Sequence, residues 1–410
     1  MKDKQAKYPQ LRFKGFTDPW VQRNLGEWSD VRDGTHASPK YIEQGHPMVT
    51  SKNLTDSGLD MSDVYYLTDE DFNEINQRSK VDIGDILFGM IGTIGKPVIV
   101  DRDDFAIKNV ALIKEKTSPE IINTWLIQYL KSPSFERFIQ KENAGGTQKF
   151  IALGLIRDMK LMTPSVQEQA RIGELLNHLD KLIAANQRKL DLLKELKQGY
   201  LQKLFPKNGS KFPQLRFAGF ADAWEQRKLG ELGNVTTGKA FSSNEFNQKG
   251  EYLVITNKDI SDSSRSQNVL PDRINVSDEK LINKYNLSVN NILVTMDGVN
   301  LGKTAKFSND KALLAQRVGR IQSNQLEFIY QVTASPEFVL TMRTLSVGNA
   351  IKHISLQQIS NYTSFVPNSK AEQQKIGSFF KQLDSTIALH QRKLDLLKEQ
   401  KKGFLQKMFV

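Results

Sequence analysis

The feature that most constrains this chain is a long internal repeat with a constant offset. Residues 187–205 (QRKLDLLKELKQGYLQKLF) and 391–409 (QRKLDLLKEQKKGFLQKMF) match at 15 of 19 positions and lie 204 residues apart. Residues 8–28 and 212–232 match at 14 of 21 positions with the same offset. Repeats of solenoid proteins are only about 20–50 residues long, so this repeat indicates a duplicated domain.

The two copies agree at their ends and differ in between. From about residue 29 to 165, and from about residue 233 to 368, sequence identity nearly vanishes. Only an outline survives, as where DILFGMIGTIGK (85–96) resembles NILVTMDGVNLGK (291–303). We call the repeated parts the frame and the variable parts the two interiors. Matched frames around unlike interiors are the pattern of a protein that reads two different sites.

Each interior is predicted to mix strands and helices. Short apolar runs bounded by Gly, Asn and Asp, such as GDILFGMIG and EYLVITNKD, predict strands. Residues 119–139 and 326–345 predict helices, each broken at a Ser-Pro pair. The predicted fold class is therefore mixed α+β, with a pseudo-two-fold internal duplication.

The clearest predicted element is a long helix that ends each half. Apolar residues recur about every 3.5 residues from about 168 to 205 and from about 372 to 409, which is the period of a coiled-coil seam. At about 1.5 Å per residue, each helix would span roughly 57 Å. The predicted seam residues are Leu179, Ile183, Asn186, Leu190 and Leu193 in the first helix and Leu383, Ile387, His390, Leu394 and Leu397 in the second.

The apolar stripe on each helix has to be buried, and the sequence leaves three ways open. The two helices can pair with each other as an antiparallel coiled coil, each can pack on its own domain, or each can pack on another subunit. We favour pairing within the chain because each helix is the nearest equal partner of the other. In such a pair, Asn186 and His390 would lie near each other, either as a polar layer that helps to fix the register or as a solvated gap.

The composition indicates a polyanionic partner and excludes several kinds of site. The 410 residues include 57 Lys and Arg against 46 Asp and Glu, a net charge of +11. Such an excess attracts phosphates, although it does not by itself establish nucleic-acid binding. The absence of cysteine excludes disulfides, a Cys nucleophile and Cys-based metal sites. A polar amino terminus and the lack of an apolar run of about 18 residues predict a soluble, cytoplasmic protein with no membrane span.

Two segments resemble nucleotide-binding motifs, but each lacks residues that its motif requires. The segment DGVNLGKT (297–304) resembles a phosphate-binding loop, but Asp297 stands where that loop needs glycine, and a carboxylate would repel phosphate. The glycines of GMIGTIG (89–95) do not have the spacing of a dinucleotide fingerprint. The five histidines are scattered, and the Asn-Pro-Pro-Tyr segment of adenine methyltransferases is missing. We therefore predict that the chain has no catalytic activity by itself and no metal site.

The repeated motifs resemble one known family. EQARIGELLNHLDKLI (168–183) and EQQKIGSFFKQLDSTI (372–387) share the pattern EQ..I...L..LD..I. The openings PQLRFKGF and PQLRFAGF are similar to those of many Gram-positive members, and DGTHASPKY (33–41) is like a stretch found early in their reading domains. On these motifs, which cover essentially the whole chain, it is identified as a member of the specificity subunits of type I restriction–modification enzymes.

This resemblance implies a division of labour. It implies two globular target recognition domains, residues 1–166 and 207–370, each reading one half of a bipartite double-stranded DNA target. Long helices at 167–206 and 371–410 would form the antiparallel coiled coil, set the spacer and dock two modification (methyltransferase) subunits. Those partners would use S-adenosylmethionine to methylate adenine N6, and restriction subunits would use ATP and Mg to translocate and cleave DNA. No cofactor is implied for this chain.

Candidate DNA contacts are polar or basic residues in loops and at strand ends, in comparable places of the two interiors. Arg and Lys suit guanine, and Asn and Gln suit adenine. The candidates are Thr35, His36, Lys40, Lys52, Asn53, Lys96, Asn109, Gln148 and Lys149 in the first interior and Thr237, Lys239, Asn257, Lys258, Lys303, Gln316, Arg317 and Lys352 in the second.

Two other functions are open on the sequence alone. The chain could be a self-sufficient methyltransferase or nuclease with its active site in an interior, which methylation or cleavage of DNA by the purified chain would establish. It could also be an architectural or regulatory DNA-binding protein without a modification partner. Neighbouring genes for an adenine methyltransferase and a helicase-like nuclease would separate that reading from a specificity subunit.

Overall fold

The chain forms two compact units of mixed helix and sheet, which confirms the predicted fold class. Unit 1 comprises Met1–Lys189 and His390–Val410, and unit 2 comprises Leu190–Leu389. No helix among the described residues is long and apolar enough to cross a membrane. The structure is a computed structural model that describes residues 8–56, 58–92, 94–117, 120–142, 150–207, 209–260, 271–349 and 351–410.

Unit 1 contains most of the strands. They are β1 (Val21–Asn24), β2 (Ser29–Asp33), β3 (His46–Val49), β4 (Leu54–Thr55), β5 (Gly58–Leu59), β6 (Tyr65–Leu67), β7 (Ile86–Gly89), β8 (Gly95–Ile99), β9 (Ala106–Ile107), β10 (Val110–Glu115) and β11 (Lys160–Thr163). The helices that begin in it are α1 (Leu25–Trp28), α2 (Asp69–Ser79), α3 (Asn123–Tyr129), α4 (Pro133–Glu142), α5 (Leu153–Arg157) and the long α6 (Val166–Leu204).

Within its described residues, unit 2 has fewer and longer strands than unit 1. They are β12 (Glu225–Lys228), β13 (Asn234–Thr237), β14 (Tyr252–Ile255), β15 (Asp272–Ile274), β16 (Asn286–Thr295), β17 (Thr304–Leu314), β18 (Val318–Gln322) and β19 (Thr363–Val366). The helices that begin in it are α7 (Leu229–Leu232), α8 (Glu279–Tyr285), α9 (Leu326–Thr333), α10 (Pro336–Leu345), α11 (Leu356–Asn361) and the long α12 (Lys370–Lys407).

The sheets of the two units follow one plan. Unit 1 has a four-stranded sheet in the order β2-β10-β7-β8 and a three-stranded sheet β6-β3-β9, and unit 2 has one six-stranded sheet β13-β18-β16-β17-β14-β15. In each unit a strand pairs in parallel at the same place, β3 with β9 and β14 with β17, while the remaining pairs are antiparallel. The predicted helix breaks are confirmed, since Ser132 and Ser335 precede the prolines that begin α4 and α10.

The frame makes the same contacts in both units. The two-stranded pairs β1-β11 and β12-β19 bring the ends of each interior together. In unit 1, Arg12 donates two hydrogen bonds of 2.7 Å to the fully buried carboxylate of Glu168, and in unit 2 Arg216 does the same to Glu372 at 2.7 and 2.8 Å. These hydrogen bonds raise the pKa of Arg12 and Arg216.

The long helices pack against each other within each unit. In unit 1, Lys401 near the end of α12 bonds Asp180 near the start of α6 at 2.5 Å. In unit 2, Lys197 near the end of α6 bonds Asp384 near the start of α12 at 2.6 Å. Both pairs join the start of one helix to the end of the other, which is antiparallel pairing.

The helix ends also belong to the hydrophobic cores. Leu405, Met408 and Phe409 of α12 and the residues after it lie in the core of unit 1, beside Leu176 and Leu179 of α6. Leu204 of α6 lies in the core of unit 2, beside Ile376 and Phe380 of α12. Each long helix therefore packs both on a domain core and on the other long helix. The structure combines two of the three arrangements that the sequence allowed.

The predicted seam residues are all at least half-buried. Asn186 is buried and donates to the carbonyl of Leu182 in its own helix at 2.8 Å, while Nδ1 of His390 is buried without a hydrogen-bond partner. These contacts do not show the mutual polar layer that we expected. Leu179, Leu190 and Leu394 are buried, and Ile183, Leu193, Leu383, Ile387, His390 and Leu397 are half-buried.

Candidate nucleic-acid interface

The first interface element is a close approach of the chain to the parallel strand in each unit. Gly34 and Gly238 lie 204 residues apart, and a Cβ there would be 2.4 Å from the carbonyl oxygen of Ile107 and 2.0 Å from that of Leu314. Only glycine fits such a gap. The next amide donates to the same carbonyl in each unit, at 3.0 and 3.1 Å. Thr35 of unit 1 and Lys239 of unit 2 therefore occupy the same position.

The second element is a 3-10 turn after the parallel strand, Ser51–Asn53 in unit 1 and Asn257–Asp259 in unit 2. A capping box begins both turns. Lys52 and Lys258 are exposed at the same place, bonded to Asp63 at 2.9 Å and to Asp272 at 2.8 Å. These hydrogen bonds raise the pKa of both lysines.

The third element is a glycine turn between two strands. Gly92 and Gly298 have φ of 74° and 75°, and Gly95 and Gly302 have φ of 84° and 82°, so both turns place left-handed glycines at the same two points although the turn of unit 2 is one residue longer. In unit 2 the turn amides of Leu301, Gly302 and Lys303 donate to carbonyls within the turn or of Thr295. Those amides are not free to surround a phosphate group, which agrees with the sequence argument against a phosphate-binding loop.

The fourth element is one residue in each unit, the residue directly before β10 in unit 1 and before β18 in unit 2. Each of these strands lies between two antiparallel neighbours in its sheet. Asn109 precedes β10 and Arg317 precedes β18, with φ of 57° and 65°. The side chain of Asn109 contacts Nδ1 of His36 at 2.7 Å, and Nε2 of His36 contacts Asp33 at 3.0 Å. Two side chains from distant parts of the sequence thereby meet.

In unit 2 the equivalent cluster is built around a carboxylate. Arg317 donates to Asp297 at 3.1 Å, and the side-chain amide of Asn257 donates to the other oxygen of Asp297. Asp297 is mostly covered, with 16% of its side chain exposed, whereas 64% of the Arg317 side chain is exposed. The mostly covered carboxylate of Asp297 therefore orients the exposed guanidinium of Arg317. We call the four elements together the corner of each unit.

Comparison with known proteins identifies the family. Residues 17–195 and 221–399 each match the type I restriction modification DNA specificity domain. The chain belongs to this family. The two matched segments start 204 residues apart, the offset of the internal repeat. The match confirms the resemblance that the motifs indicated: the chain is a specificity subunit, the DNA-recognition component and not a catalytic component of these systems.

Relatives of the specificity subunit cover different shares of the chain. The specificity subunit of the type I restriction enzyme MjaVIII from Methanocaldococcus jannaschii is 22% identical over 399 residues, 92% of this chain and 91% of the relative. The putative MjaX specificity subunit from the same organism is 24% identical over 263 residues, and the match spans 60% of this chain and 61% of the relative.

A solved structure shares the fold of the specificity subunit. The crystal structure of the S subunit of a type I restriction–modification system from M. genitalium has a TM-score of 0.69 with this chain. The match covers 98% of this chain and 99% of that one, at 16% sequence identity. It shows that the fold is that of an S subunit.

Most of the candidate DNA contacts of the specificity subunit lie on exposed or half-buried parts of the corners. Asn53 does not, because it is 2% exposed and its amide bonds Thr50, Asp60 and Asp63. We correct that prediction, since Asn53 stabilises the turn. Thr237 is half-buried, and its hydroxyl donates to the carbonyl of Val318. Exposed candidates are His36, Lys40, Lys52, Lys96, Lys258, Gln316, Arg317 and Lys352, half-buried ones are Thr35, Asn109, Lys239, Asn257 and Lys303, and Gln148 and Lys149 lie outside the described residues.

Several corner residues were missed by the sequence reasoning. Arg78 on α2 bonds Asp33, and nothing in the sequence indicates this contact across 45 residues. Lys108 bonds Ser38 at 2.8 Å at the same corner. Asp297 was noticed only because it breaks a phosphate-loop pattern. Among the described residues, no group of three or more His, Asp or Glu side chains is arranged to hold a metal ion.

Proposed function

We propose that this specificity subunit reads a bipartite double-stranded DNA target, with the corner of unit 1 contacting one half-site and the corner of unit 2 the other. The observation that carries the proposal is a shared backbone with unlike side chains. Thr35 in unit 1 takes the position of Lys239 in unit 2, and Asn109 takes that of Arg317. A common scaffold with different hydrogen-bonding groups is suited to reading different base sequences in one way.

The cations of the corners support the same proposal. Lys52 and Lys258 are equivalent and exposed, and each bonds a neighbouring aspartate, as described above. Such lysines suit phosphate contacts, which provide affinity and orientation but no sequence information. The net charge of +11 adds a long-range attraction to DNA.

An exchange of interiors tests this proposal. Residues 29–165 would be replaced by the interior of another family member, and the methylated sequence would be mapped with the modification partners present. We expect one half-site to change and the other to remain. The reciprocal exchange of residues 233–368 is the matched control and should change the other half-site. A change of both half-sites by either exchange would refute one-unit-one-half reading.

The long helices are proposed to set the spacer and to dock two methyltransferase subunits, with restriction subunits completing the assembly. Apolar side chains remain exposed on them in an otherwise polar surface: Leu192, Leu196, Leu389 and Leu396 are 65%, 46%, 64% and 65% exposed. Contiguous apolar groups mark protein-binding surfaces, and Leu192 and Leu196 lie one helical turn apart on the same face of their helix. S-adenosylmethionine, ATP and Mg are proposed to be bound by those partners and not by this chain.

A change of helix length tests the spacer. Removing a few matched residues from α6 and α12 should change the number of base pairs between the half-sites, while the bases read stay the same. Methylation mapping with the partner subunits measures both properties at once. Unchanged spacing would contradict the proposed role of the helices and leave the reading by the corners intact.

A further inference from the structure

Three residues other than glycine adopt a left-handed backbone in the described part of the chain. They are Lys96, Asn109 and Arg317, with φ of 49°, 57° and 65°. This conformation is unfavourable for residues with a Cβ, and least so for Asn. Strain of this kind concentrates at functional sites, where the side chain is needed despite the cost. All three are candidate DNA contacts, and two of them occupy the same position in the two units.

The strand registers define the position of Asn109 and Arg317. Asp33 pairs with Ala111, and the equivalent Thr237 pairs with Gly319, in each unit two residues after the left-handed residue. Unit 2 has one more residue just before this position, because it is the amide of Gln316 that donates to the carbonyl of Lys239 as the amide of Asn109 donates to that of Thr35. Each residue comes directly before the strand that pairs with two neighbours in its sheet. Glycine would fit this backbone without strain. The presence of Asn109 and Arg317 instead of glycine therefore indicates that their side chains have a function.

The Arg317 side chain is held in one orientation, and some of its N–H donors remain available. One guanidinium nitrogen bonds Asp297, which itself accepts from Asn257, and most of the side chain is exposed. Guanidinium has five N–H donors, so donors remain for a ligand. Two parallel donors match O6 and N7 of guanine, the commonest specific contact of arginine with DNA.

Asn109 is oriented by a comparable chain of contacts. His36 contacts its side chain, Asp33 contacts His36, and Arg78 donates to Asp33. The carbonyl of Asn109 also accepts from the hydroxyl of Ser51 at 3.2 Å. A carboxamide offers one donor and one acceptor side by side, which match N7 and N6 of adenine.

We propose that Asn109 and Arg317 are equivalent specificity-determining residues, Asn109 reading an A·T pair in the half-site of unit 1 and Arg317 a G·C pair in the half-site of unit 2. The inference rests on the bipartite reading proposed above. His36 and Asp33 in unit 1, and Asp297 and Asn257 in unit 2, are positioning residues. Each reader therefore selects one base pair, and the remaining corner residues contact other bases or phosphates.

The test uses the full chain assembled with its modification partners and the target found by methylation mapping. Each base pair of both half-sites is changed in turn, and the dissociation constant is measured. In the wild-type complex we expect one G·C pair of the unit 2 half-site and one A·T pair of the unit 1 half-site to cost about 10-fold or more when changed. Arg317→Gly should abolish the penalty at that G·C pair only, and Asn109→Gly the penalty at that A·T pair only.

Three further variants separate base reading from a structural role. Glycine relieves the backbone strain, so both glycine variants should unfold at the wild-type temperature or above it. Asp297→Ala should relax discrimination at the same G·C pair as Arg317→Gly, and the double variant should add no further loss. Arg227→Ala is the matched control, because Arg227 is another exposed arginine bonded to a carboxylate, that of Glu231 at 2.6 Å; it should leave discrimination unchanged.

The outcomes distinguish this inference from the proposed function. If Arg317→Gly weakens binding to every sequence equally, or keeps full discrimination in a complex whose half-sites respond to interior exchange, the reading role is wrong while bipartite recognition stands. The reading role is also wrong if Arg317→Gly lowers discrimination at a base pair of the other half-site. If the wild-type complex discriminates at neither half-site, both proposals fail together.

Discussion

In unit 1 the strands β8 and β9 are separated by residues 100–105, whereas in unit 2 the single strand β17 runs through the equivalent region. This one difference splits the sheet of unit 1 into two and leaves that of unit 2 continuous. The frames, by contrast, repeat the buried ion pair of Arg12 with Glu168 as that of Arg216 with Glu372, at an offset of 204. The comparison shows that the interiors are free to diverge as long as they meet the frame at the same places.

The frames are not identical in one buried detail. Nε1 of Trp224 donates to Glu372 at 3.4 Å in unit 2, while Nε1 of the equivalent Trp20 is buried without a partner in unit 1. Glu168 therefore depends more on its arginine than Glu372 does. The predictions below use differences of this kind between matched residues.

The largest effect is expected from removing the buried ion pair of the frame. Arg12→Ala leaves the fully buried Glu168 uncompensated and should lower the free energy of unfolding by about 3–5 kcal/mol. Arg216→Ala should cost about 1 kcal/mol less, because Trp224 still donates to Glu372. Urea unfolding followed by tryptophan fluorescence measures both. Equal losses would show that the indole contact does not matter.

A smaller effect is expected where the long helices touch the interiors. A Cβ on Gly173 would lie 2.8 Å from the carbonyl oxygen of Thr124, and one on Gly377 would lie 2.7 Å from the backbone nitrogen of Phe328. Each Gly→Ala change should cost about 1–3 kcal/mol through overpacking. Gly199→Ala and Gly403→Ala are matched controls in open space and should stabilise by about 0.5–1 kcal/mol. Melting temperatures measure these effects. If the control variants were destabilised as much as the Gly173 and Gly377 variants, this packing would be contradicted.

The ion pairs between the helices should differ in a predictable order. Asp180 accepts from both Lys401 and Gln128, whereas Oδ2 of Asp384 is buried without a partner. Lys197→Met should therefore cost about 1–3 kcal/mol and Lys401→Met about 1 kcal/mol. Adding Gln128→Ala to Lys401→Met should raise the loss toward that of Lys197→Met. The reverse order in urea unfolding would refute the argument.

The smallest expected effect concerns phosphate contact at the corners. Lys52→Met and Lys258→Met should each reduce the slope of log K against log salt by about 0.9, because each phosphate contact releases counterions. Neither change should alter the melting temperature. DNA-binding titrations of the assembled complex at several salt concentrations measure the slopes. Unchanged slopes would place these lysines away from the phosphates.

Much of the architecture could be predicted because repetition is visible without a structure. The constant offset of 204 residues predicted two matched units, and the 3.5-residue period predicted both long helices. Pairing of the two long helices was predicted as the favoured arrangement. Packing of their ends in the domain cores at the same time was not predicted, because Leu179 and Leu394 read the same whether they face a domain, a helix or another subunit. The structure decides it through long-range contacts such as that between Lys401 and Asp180.

The candidate site was predictable in composition and not in geometry. Polar and basic residues in loops were easy to nominate, and most of them do lie at the corners. Asn53 was nominated in error because its burial depends on Asp60 and Asp63 accepting its amide. Arg78 was missed because α2 brings it to Asp33 only in the folded chain.

By itself, then, the sequence determined the duplication, the long helices, the mixed α+β class and the family, since these depend on periodicity and on motifs that are local in the chain. The tertiary structure alone decided which helix ends complete each unit and which side chains meet at each corner. Those outcomes depend on contacts between residues far apart in the chain, such as Asp180 with Lys401, which are 221 positions apart. The left-handed backbone at Asn109 and Arg317 belongs to the same class, because the surrounding sheet, and not the local sequence, imposes it.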